Sequence, residues 1–267
     1  MPKFAANLTM LFTEVPFLDR FERAAAAGFV AVEFLSPYAH APREIRARLD
    51  GNGLVAVLIN VPPGDAAAGE RGVACIPGRE AEFRAGVAQA LEYAVELGVS
   101  NVHVMAGRTP EGEAAERVRR TYVDNLRHAA ERFAPAGVRA LIEPLNPFDM
   151  PGYYLNATAQ AVAVIDEVAA ANLLLQYDLY HAQRSEGELA ATLERHLAKI
   201  GHLQIADNPG RHEPGSGEIN YAFLFGHIDR IGYRGYVGCE YRPLGTTEAG
   251  LGWFAQRWQG GPREPGG

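Results

Sequence analysis

The chain has 267 residues, of which 48% are hydrophobic and 21% are charged, a composition typical of a soluble globular protein. Its 32 acidic and 25 basic residues give a formal net charge of -7 at pH 7. This acidic balance argues against a broad nucleic-acid-binding surface, which needs a basic stripe to displace counterions from phosphates.

Short apolar runs alternate along the chain with longer stretches of helical period that are rich in Ala, Glu and Arg. In chain order, strands are predicted near residues 4–9, 30–34, 54–60, 101–105, 138–143, 173–178, 200–206 and 236–240. Helices are predicted near residues 15–27, 42–51, 79–97, 113–134, 158–169, 186–197, 219–231 and 247–258. Strands that alternate with helices pair in parallel through right-handed crossovers, and eight of them can close into a single (β/α)8 barrel.

The alternative architecture is an open, doubly wound sheet that binds a dinucleotide. It requires a Gly-x-Gly-x-x-Gly turn after the first strand, and residues 9–13 contain no glycine. We therefore predict one barrel domain over residues 1–258. The Gly- and Pro-rich residues 259–267 are predicted to form a flexible C-terminal tail, and the long Gly- and Pro-rich loop at 62–78 is predicted to be functional or mobile.

The cysteine content and the hydropathy pattern indicate the cellular compartment in which the protein is expected. Two cysteines, Cys75 and Cys239, are too few for a disulfide framework, which favours a reducing cytoplasm. No run reaches the roughly 18 apolar residues that span a bilayer, and the first residues lack the pattern of a secretion signal. We therefore expect a cytoplasmic protein with neither a membrane nor a nucleic-acid partner.

Four consecutive predicted strands end in side chains with oxygen donors. These residues are Glu143, Asp178, Gln204 and Glu240, each about one strand–helix unit from the next. Because the chemistry of such a barrel lies at the carboxyl ends of its strands, the four side chains are expected to converge on the barrel axis. Three carboxylates in a mouth of low dielectric constant repel one another unless a cation neutralises them. Oxygen ligands of this kind suit Mg²⁺ or Mn²⁺, so the sequence predicts a divalent metal site.

Simpler interpretations exist for some of these residues. An aspartate that closes a strand is often the N-cap of the next helix, which applies to Asp178 and to Asp207 taken alone. Asp207 is also an alternative ligand to Gln204, although the two-residue period of a strand puts Gln204 and His202 on the same inward face. His103 and His202 lie within predicted strands and are expected to be interior groups rather than ligands.

The loops after the strands carry candidate substrate-binding residues. His181 follows Asp178 by one helical turn, where its imidazole could polarise a substrate oxygen or simply bond the backbone. Arg211 and His212 lie in a turn-rich segment that is expected to hold them over the barrel mouth. The planar donor fork of Arg211 matches a carboxylate, and Arg242 is the alternative for that role.

Several motifs together are similar to those of one known family. The chain resembles the hydroxypyruvate isomerase family, a branch of the xylose-isomerase-like TIM barrels that includes 2-oxotetronate isomerases. The resemblance runs over essentially residues 3–258. The segments that carry it are Ala6–Phe12, Val102–Gly107, Asp178–Gln183, Arg211–Gly215 and Gly217–Tyr221.

The resemblance implies an intramolecular oxidoreductase that interconverts hydroxypyruvate and tartronate semialdehyde (2-hydroxy-3-oxopropanoate), or a related four-carbon 2-oxo acid. It also implies metal ligation by Glu143, Asp178, Gln204 and Glu240. Glu143 and Glu240 would be the catalytic acid and base that move a proton through an enediolate, in an order that the sequence leaves open. Related sugar epimerases carry a histidine at the position of Gln204, which leaves the identity of the metal less defined.

Other functions on the same scaffold remain as alternatives. A sugar or sugar-acid epimerase and an aldolase share the metal and the carbanion chemistry, and a silent sugar-acid-binding protein shares the pocket. A barrel nuclease of the abasic-site type would need a histidine-rich multi-zinc cluster and a basic groove, which the sequence does not show. The resemblance implies a small anionic 2-oxo acid as the partner, and a homo-oligomer is left open.

Overall fold

The computed structural model of the chain describes residues 2–255. Within them, parallel strands close into one barrel in which spatial neighbours follow chain order. The strands are β1 (Lys3–Asn7), β2 (Ala31–Glu33), β3 (Val55–Asn60), β4 (Asn101–His103), β5 (Arg139–Ile142), β6 (Leu173–Asp178), β7 (Ile200–Ile205) and β8 (Tyr236–Cys239). The helices are α1 (Arg20–Ala26), α2 (Pro42–Asn52), α3 (Glu80–Leu97), α4 (Ala115–Phe133), α5 (Thr158–Val168), α6 (Leu179–Ser185), α7 (Leu189–His196), α8 (Tyr221–Arg230) and α9 (Gly252–Ala255). The predicted (β/α)8 barrel is confirmed.

The interior of the barrel is layered because side chains alternate between its two faces. A small apolar cluster that includes Ala5, Ala31 and Leu141 is completely buried. Two residues further along β1 and β2, on the same face, come the buried polar residues Asn7 and Glu33. The alternation thus places polar side chains above an apolar floor, toward the carboxyl ends of the strands.

Most predicted elements agree with the structure to within a few residues, but the segment after β6 differs. Helix α6 begins at Leu179, directly after the strand, where the sequence predicts a loop. The carboxylate of Asp178 causes this early start, because its Oδ1 accepts a hydrogen bond of 2.9 Å from the Tyr180 backbone N–H. Gly187 and Glu188 both adopt positive φ angles, of 72° and 49°, and separate α6 from α7.

Two sequence predictions concern the ends of the described region and the long loop. The tail predicted at 259–267, and the last residues of the helix predicted at 247–258, lie outside the described residues. The loop at 62–78 packs against the segment that follows β4, since the Cys75 backbone N–H donates to the Ala106 carbonyl at 2.8 Å. Among the described residues, no helix is long and apolar enough to cross a membrane.

The loop between β7 and α8 is built around the carboxylate of Asp207, which is 1% exposed. Its Oδ1 accepts hydrogen bonds from the backbone N–H groups of Asn208 and Ile219, at 2.9 and 3.0 Å. Its Oδ2 accepts one from Gly215 at 2.8 Å. Asp207 therefore uses both oxygens to shape the loop, and it is neither a helix cap nor a free alternative to Gln204.

We predict that Asp207→Asn destabilises the protein, because the amide nitrogen of Asn would face a backbone N–H that has lost its acceptor. The free energy of unfolding should fall by about 1–3 kcal/mol. Denaturant titration measures it. The matched control is Asp65→Asn, which makes the same change on an exposed loop where Asp65 accepts from Ala68. An equal and small effect of both substitutions would contradict the structural role of Asp207.

Candidate active site

A cavity of about 590 Å³ opens at the carboxyl ends of the strands. Its lining includes two of the four strand-end residues, Glu143 and Glu240, together with His181, Arg211 and Arg242. The loop at 62–78 contributes Arg71. The cavity therefore brings acidic groups from the strands together with basic groups from the loops.

The three strand-end carboxylates are almost completely buried. Glu143, Asp178 and Glu240 are 5%, 2% and 6% exposed. Burial raises the pKa of Glu143 well above its ordinary value, and the charges of Glu240 and Asp178 raise it further. Burial likewise raises the pKa of Asp178 to about 6 and that of Glu240 to about 8, although Arg211 opposes both shifts. At neutral pH the raised pKa values of Glu143 and Glu240 favour their protonated forms, whereas a pKa of about 6 leaves Asp178 mostly ionised.

Arg211 is the counter-ion of this cluster. Its Nη2 lies 3.0 Å from Glu240 Oε1 and 3.6 Å from Asp178 Oδ2, and its guanidinium lies over the Tyr180 ring. The backbone of Arg211 has a φ angle of 57°, a strained conformation for a residue with a side chain, and its carbonyl accepts from the Arg242 N–H. The loop thus holds one cation against two carboxylates.

Two oxygens of the cluster lack a hydrogen-bond donor within the described part of the chain. They are Glu143 Oε1 and Asp178 Oδ2, both buried. Asp178 uses its other oxygen to cap α6, so its capping role and a ligand role are compatible. One oxygen each of Glu143 and Asp178 and one nitrogen of His181 lie within 4.8 Å of one another. The unpaired oxygens are an arrangement that a cation would satisfy.

The imidazole of His181 has a defined orientation. Its Nδ1 accepts the backbone N–H of Asn146 at 3.1 Å, so the ring hydrogen of the neutral imidazole lies on Nε2. Burial lowers the pKa of His181 well below its ordinary value, which keeps the ring neutral. Nε2, which is 3.7 Å from Asp178 Oδ2, is therefore a hydrogen-bond donor. His181 is in this form better suited to donate to an oxygen than to ligate a metal.

Gln204 is paired in register with Asp178 and is completely buried. Its Oε1 accepts from Gln176 Nε2 at 2.6 Å, and its Nε2 donates to Glu33 Oε1 at 2.7 Å. His202 reaches the other oxygen of Glu33 at 2.7 Å, so His202 and Gln204 do share the inward face. Glu33 was not predicted as a site residue, although it ends the apolar run Val30–Val32 just as Glu143 ends its own strand.

His103 is an interior group, as the sequence predicts. It is 2% exposed, and its Nδ1 lies 3.6 Å from Glu143 Oε2. Burial lowers its pKa to about 3, so the ring is neutral beside the carboxyl group. Asn60 lies next to His103 in the register of β3 and β4, and both line the cavity.

Of the two remaining candidates for substrate binding, Arg242 lines the cavity and His212 does not. Arg242 is exposed and lines the cavity. The Nδ1 atom of His212 donates to the Arg242 carbonyl at 2.7 Å, and within the described residues His212 is not part of the cavity lining. A direct substrate contact of His212 therefore stays a prediction, whereas its hydrogen bond joins the two loops that carry Arg211 and Arg242.

Comparison with known proteins identifies a family and a closely similar solved structure. The family model described as "Xylose isomerase-like TIM barrel" matches residues 21–257. Among solved structures, one described as AP endonuclease, family 2, from Brucella melitensis has a TM-score of 0.94 and 49% sequence identity. The alignment covers 96% of this chain and 98% of that one.

Two related isomerases align with nearly the whole chain. The 2-oxo-tetronate isomerase of Cupriavidus necator is 56% identical over 254 residues, which are 95% of this chain and 98% of the relative. The hydroxypyruvate isomerase of Escherichia coli is 54% identical with the same coverage. The resemblance inferred from the motifs is thereby confirmed: the chain belongs to the xylose isomerase-like TIM barrel family and is an isomerase.

Proposed function

We propose that the protein interconverts hydroxypyruvate and tartronate semialdehyde, with a four-carbon 2-oxo acid as the alternative substrate. The observation that carries this proposal is the pair of buried glutamates, Glu143 and Glu240, that meet in one cavity with raised pKa values. Moving a carbonyl along a hydroxy acid requires removal of a proton beside the carbonyl and its return to the neighbouring carbon. Two carboxyl groups that can each hold a proton near neutral pH suit this reaction.

The donor set fits a divalent cation. Glu143, Asp178, Gln204 and Glu240 would hold Mg²⁺ or Mn²⁺, which prefer oxygen ligands, and two carboxylate oxygens of this set have no donor among the described residues. When bound, such a cation stabilises negative charge on the oxygens of an enediolate. The protonated Nε2 of His181 leaves that residue as a donor to a substrate oxygen rather than a fifth ligand.

Arg211 supports the choice of an acidic substrate. The protein has a net charge of -7, and its mouth is lined by carboxylates, so an anion needs local positive charge. The guanidinium fork of Arg211 can bind a carboxylate through two hydrogen bonds and so fix which carbon faces the two glutamates. We expect the substrate carboxylate to take the place that Glu240 holds beside Arg211.

The alternative of a nuclease rests on the description of the related Brucella structure. The cavity residues favour an isomerase, because the group of potential ligands found among the described residues contains one histidine and two carboxylates. A turnover assay separates the two functions. In D₂O, ¹H NMR of the Mg²⁺- or Mn²⁺-loaded protein with hydroxypyruvate should show isomerisation, and four-carbon 2-oxo acids and an abasic-site duplex are the comparison substrates.

Glu143→Gln and Glu240→Gln should each reduce turnover by about 10² or more, because the amide keeps an oxygen but cannot transfer the proton. The NMR assay measures the rate, and circular dichroism confirms the fold. Glu167→Gln, on the surface of α5 where Glu167 pairs with Arg119, is the matched control. Turnover of Glu240→Gln close to that of the unsubstituted protein would show that the acid–base assignment is wrong.

Arg211→Ala should reduce turnover of acidic substrates far more than turnover of neutral analogues such as glyceraldehyde, and Arg211→Lys should be a poor replacement because a point charge cannot form the fork. The ratio of kcat/KM for the two kinds of substrate is the measurement. Arg242→Ala is compared directly, because Arg242 is the alternative. Equal losses on both kinds of substrate would mean that Arg211 has only a structural role.

Without metal, stability should fall as pH rises from about 5 to 8. The folded-state pKa of Glu240 is about 8, above its ordinary value, so the folded protein holds a proton that the unfolded chain has released in this window. One such proton corresponds to about 1.4 kcal/mol per pH unit. Thermal unfolding in chelator measures the slope, and Glu240→Gln should make it shallower by the share of that one proton. Added Mn²⁺ should raise the Tm most at pH 8 and restore turnover; full turnover after metal stripping would contradict the metal site.

A further inference from the structure

Glu33 is a fourth carboxylate, and it lies beneath the three in the mouth. Its side chain is completely buried on β2. Its Oε1 accepts from Asn7 Nδ2 at 2.9 Å and from Gln204 Nε2 at 2.7 Å, while its Oε2 pairs with His202 Nε2 at 2.7 Å. Neighbouring interior side chains thus surround both oxygens, and the reaction proposed above gives Glu33 no role.

We propose that Glu33 is a positioning residue that accepts the amide hydrogen of Gln204 and thereby presents the Gln204 oxygen to the cation site. This inference rests on the proposed function, because it concerns the divalent cation held by the strand-end residues. Glu33 itself touches neither the substrate nor the cation. It acts through the side chain that it orients, as a residue behind a metal ligand commonly does.

The two ends of an amide side chain have nearly the same shape. The oxygen and the NH₂ group of Gln204 are similar in size, and only the oxygen can ligate a cation. Glu33 Oε1 accepts from the amide NH₂ groups of both Asn7 and Gln204, so the NH₂ end of Gln204 faces Glu33. The oxygen must then face away, and it does, because Oε1 accepts from Gln176 on β6, the strand that also carries Asp178.

The structure provides space for Glu33 at a specific point. Gly238 on β8 is paired in register with Gln204, and a Cβ atom at this position would overlap the Glu33 carboxylate. This glycine lies two residues before Glu240 on the same strand. The lack of a side chain at position 238 therefore leaves room for the Glu33 carboxylate beside β7 and β8.

A carboxylate at this position has an electrostatic cost. The charge of Glu33 raises the pKa of both Asp178 and Glu240, after burial itself, so it makes the mouth harder to ionise. An apolar residue or a glutamine would fill the interior without that cost. A glutamine, however, could offer either end of its amide to Gln204 and would not define the orientation. A residue at position 33 that can only accept hydrogen bonds from Gln204 is therefore required, and a glutamate meets this requirement.

Mn²⁺ affinity in a double-mutant cycle tests the inference. Glu33→Gln and Gln204→Ala should each weaken Mn²⁺ binding, measured by isothermal titration calorimetry, by about tenfold or more. The double variant should bind no more than about twofold more weakly than Gln204→Ala alone, because Glu33 acts only through Gln204. The EPR spectrum of bound Mn²⁺ should change in the same way in both single variants. Asn101→Ala, a buried polar residue that bonds the Val57 carbonyl, is the control and should leave Mn²⁺ affinity unchanged.

The measurements distinguish failure of the inference about Glu33 from failure of the proposed metal site. Unchanged affinity in Glu33→Gln, or additive losses in the double variant, would overturn the inference, and additivity would mean that Glu33 acts by charge alone. If Glu33→Gln does not fold, Glu33→Gln combined with Gln204→Glu restores the charge and a donor–acceptor pair, and should bind Mn²⁺ within about threefold of the original protein. Much weaker binding by that folded double variant would also overturn the inference. Failure of the unsubstituted protein to bind Mn²⁺ would instead contradict the proposed metal site.

Discussion

The repulsion between buried carboxylates is the constraint on which the rest of the site depends. The barrel brings Glu143, Asp178 and Glu240 into one mouth, where burial and mutual charge raise their pKa values. Such a cluster is stable only if protons, a cation or a basic side chain compensate the charge. The structure uses Arg211 for this purpose, with its guanidinium against Glu240 and Asp178.

The position of Arg211 in turn depends on a loop whose geometry is set by backbone hydrogen bonds. Asp207 accepts three backbone N–H groups and thereby closes the segment after β7. The strained backbone of Arg211 is sustained inside this closed loop, where its carbonyl also accepts from Arg242. Asp207, an acidic residue outside the cavity lining, therefore supports the arginine that is the counter-ion of the carboxylates in the mouth.

The sequence predicts the barrel and the strand-end residues for one physical reason. Period-two alternation and apolar runs identify parallel strands, and the residue that ends each run must lie at the carboxyl edge, where Glu143 and Glu240 are found. Glu33 carries the same signal, but its strand is short and its partners come from β1 and β7, so the local pattern does not identify it as a site residue. Tertiary contacts of this kind cannot be read from local patterns. The start of α6 is different: the sequence indicates that Asp178 can cap a helix, but it does not show that one oxygen caps while the other lies near Arg211 without a hydrogen bond.

The tautomer of His181 and the protonation of Glu240 show how such contacts decide chemistry. The backbone N–H of Asn146 makes His181 Nε2 a donor, a choice that no residue type or spacing specifies. Arg211 opposes the rise in the pKa of Glu240, so it holds this carboxyl group in a less basic state while the two are paired. Under the proposed reaction, a substrate carboxylate that draws the guanidinium away leaves Glu240 without its counter-ion. Its affinity for a proton then increases. Binding of the anion and the proton affinity of Glu240 would thus be coupled through one arginine.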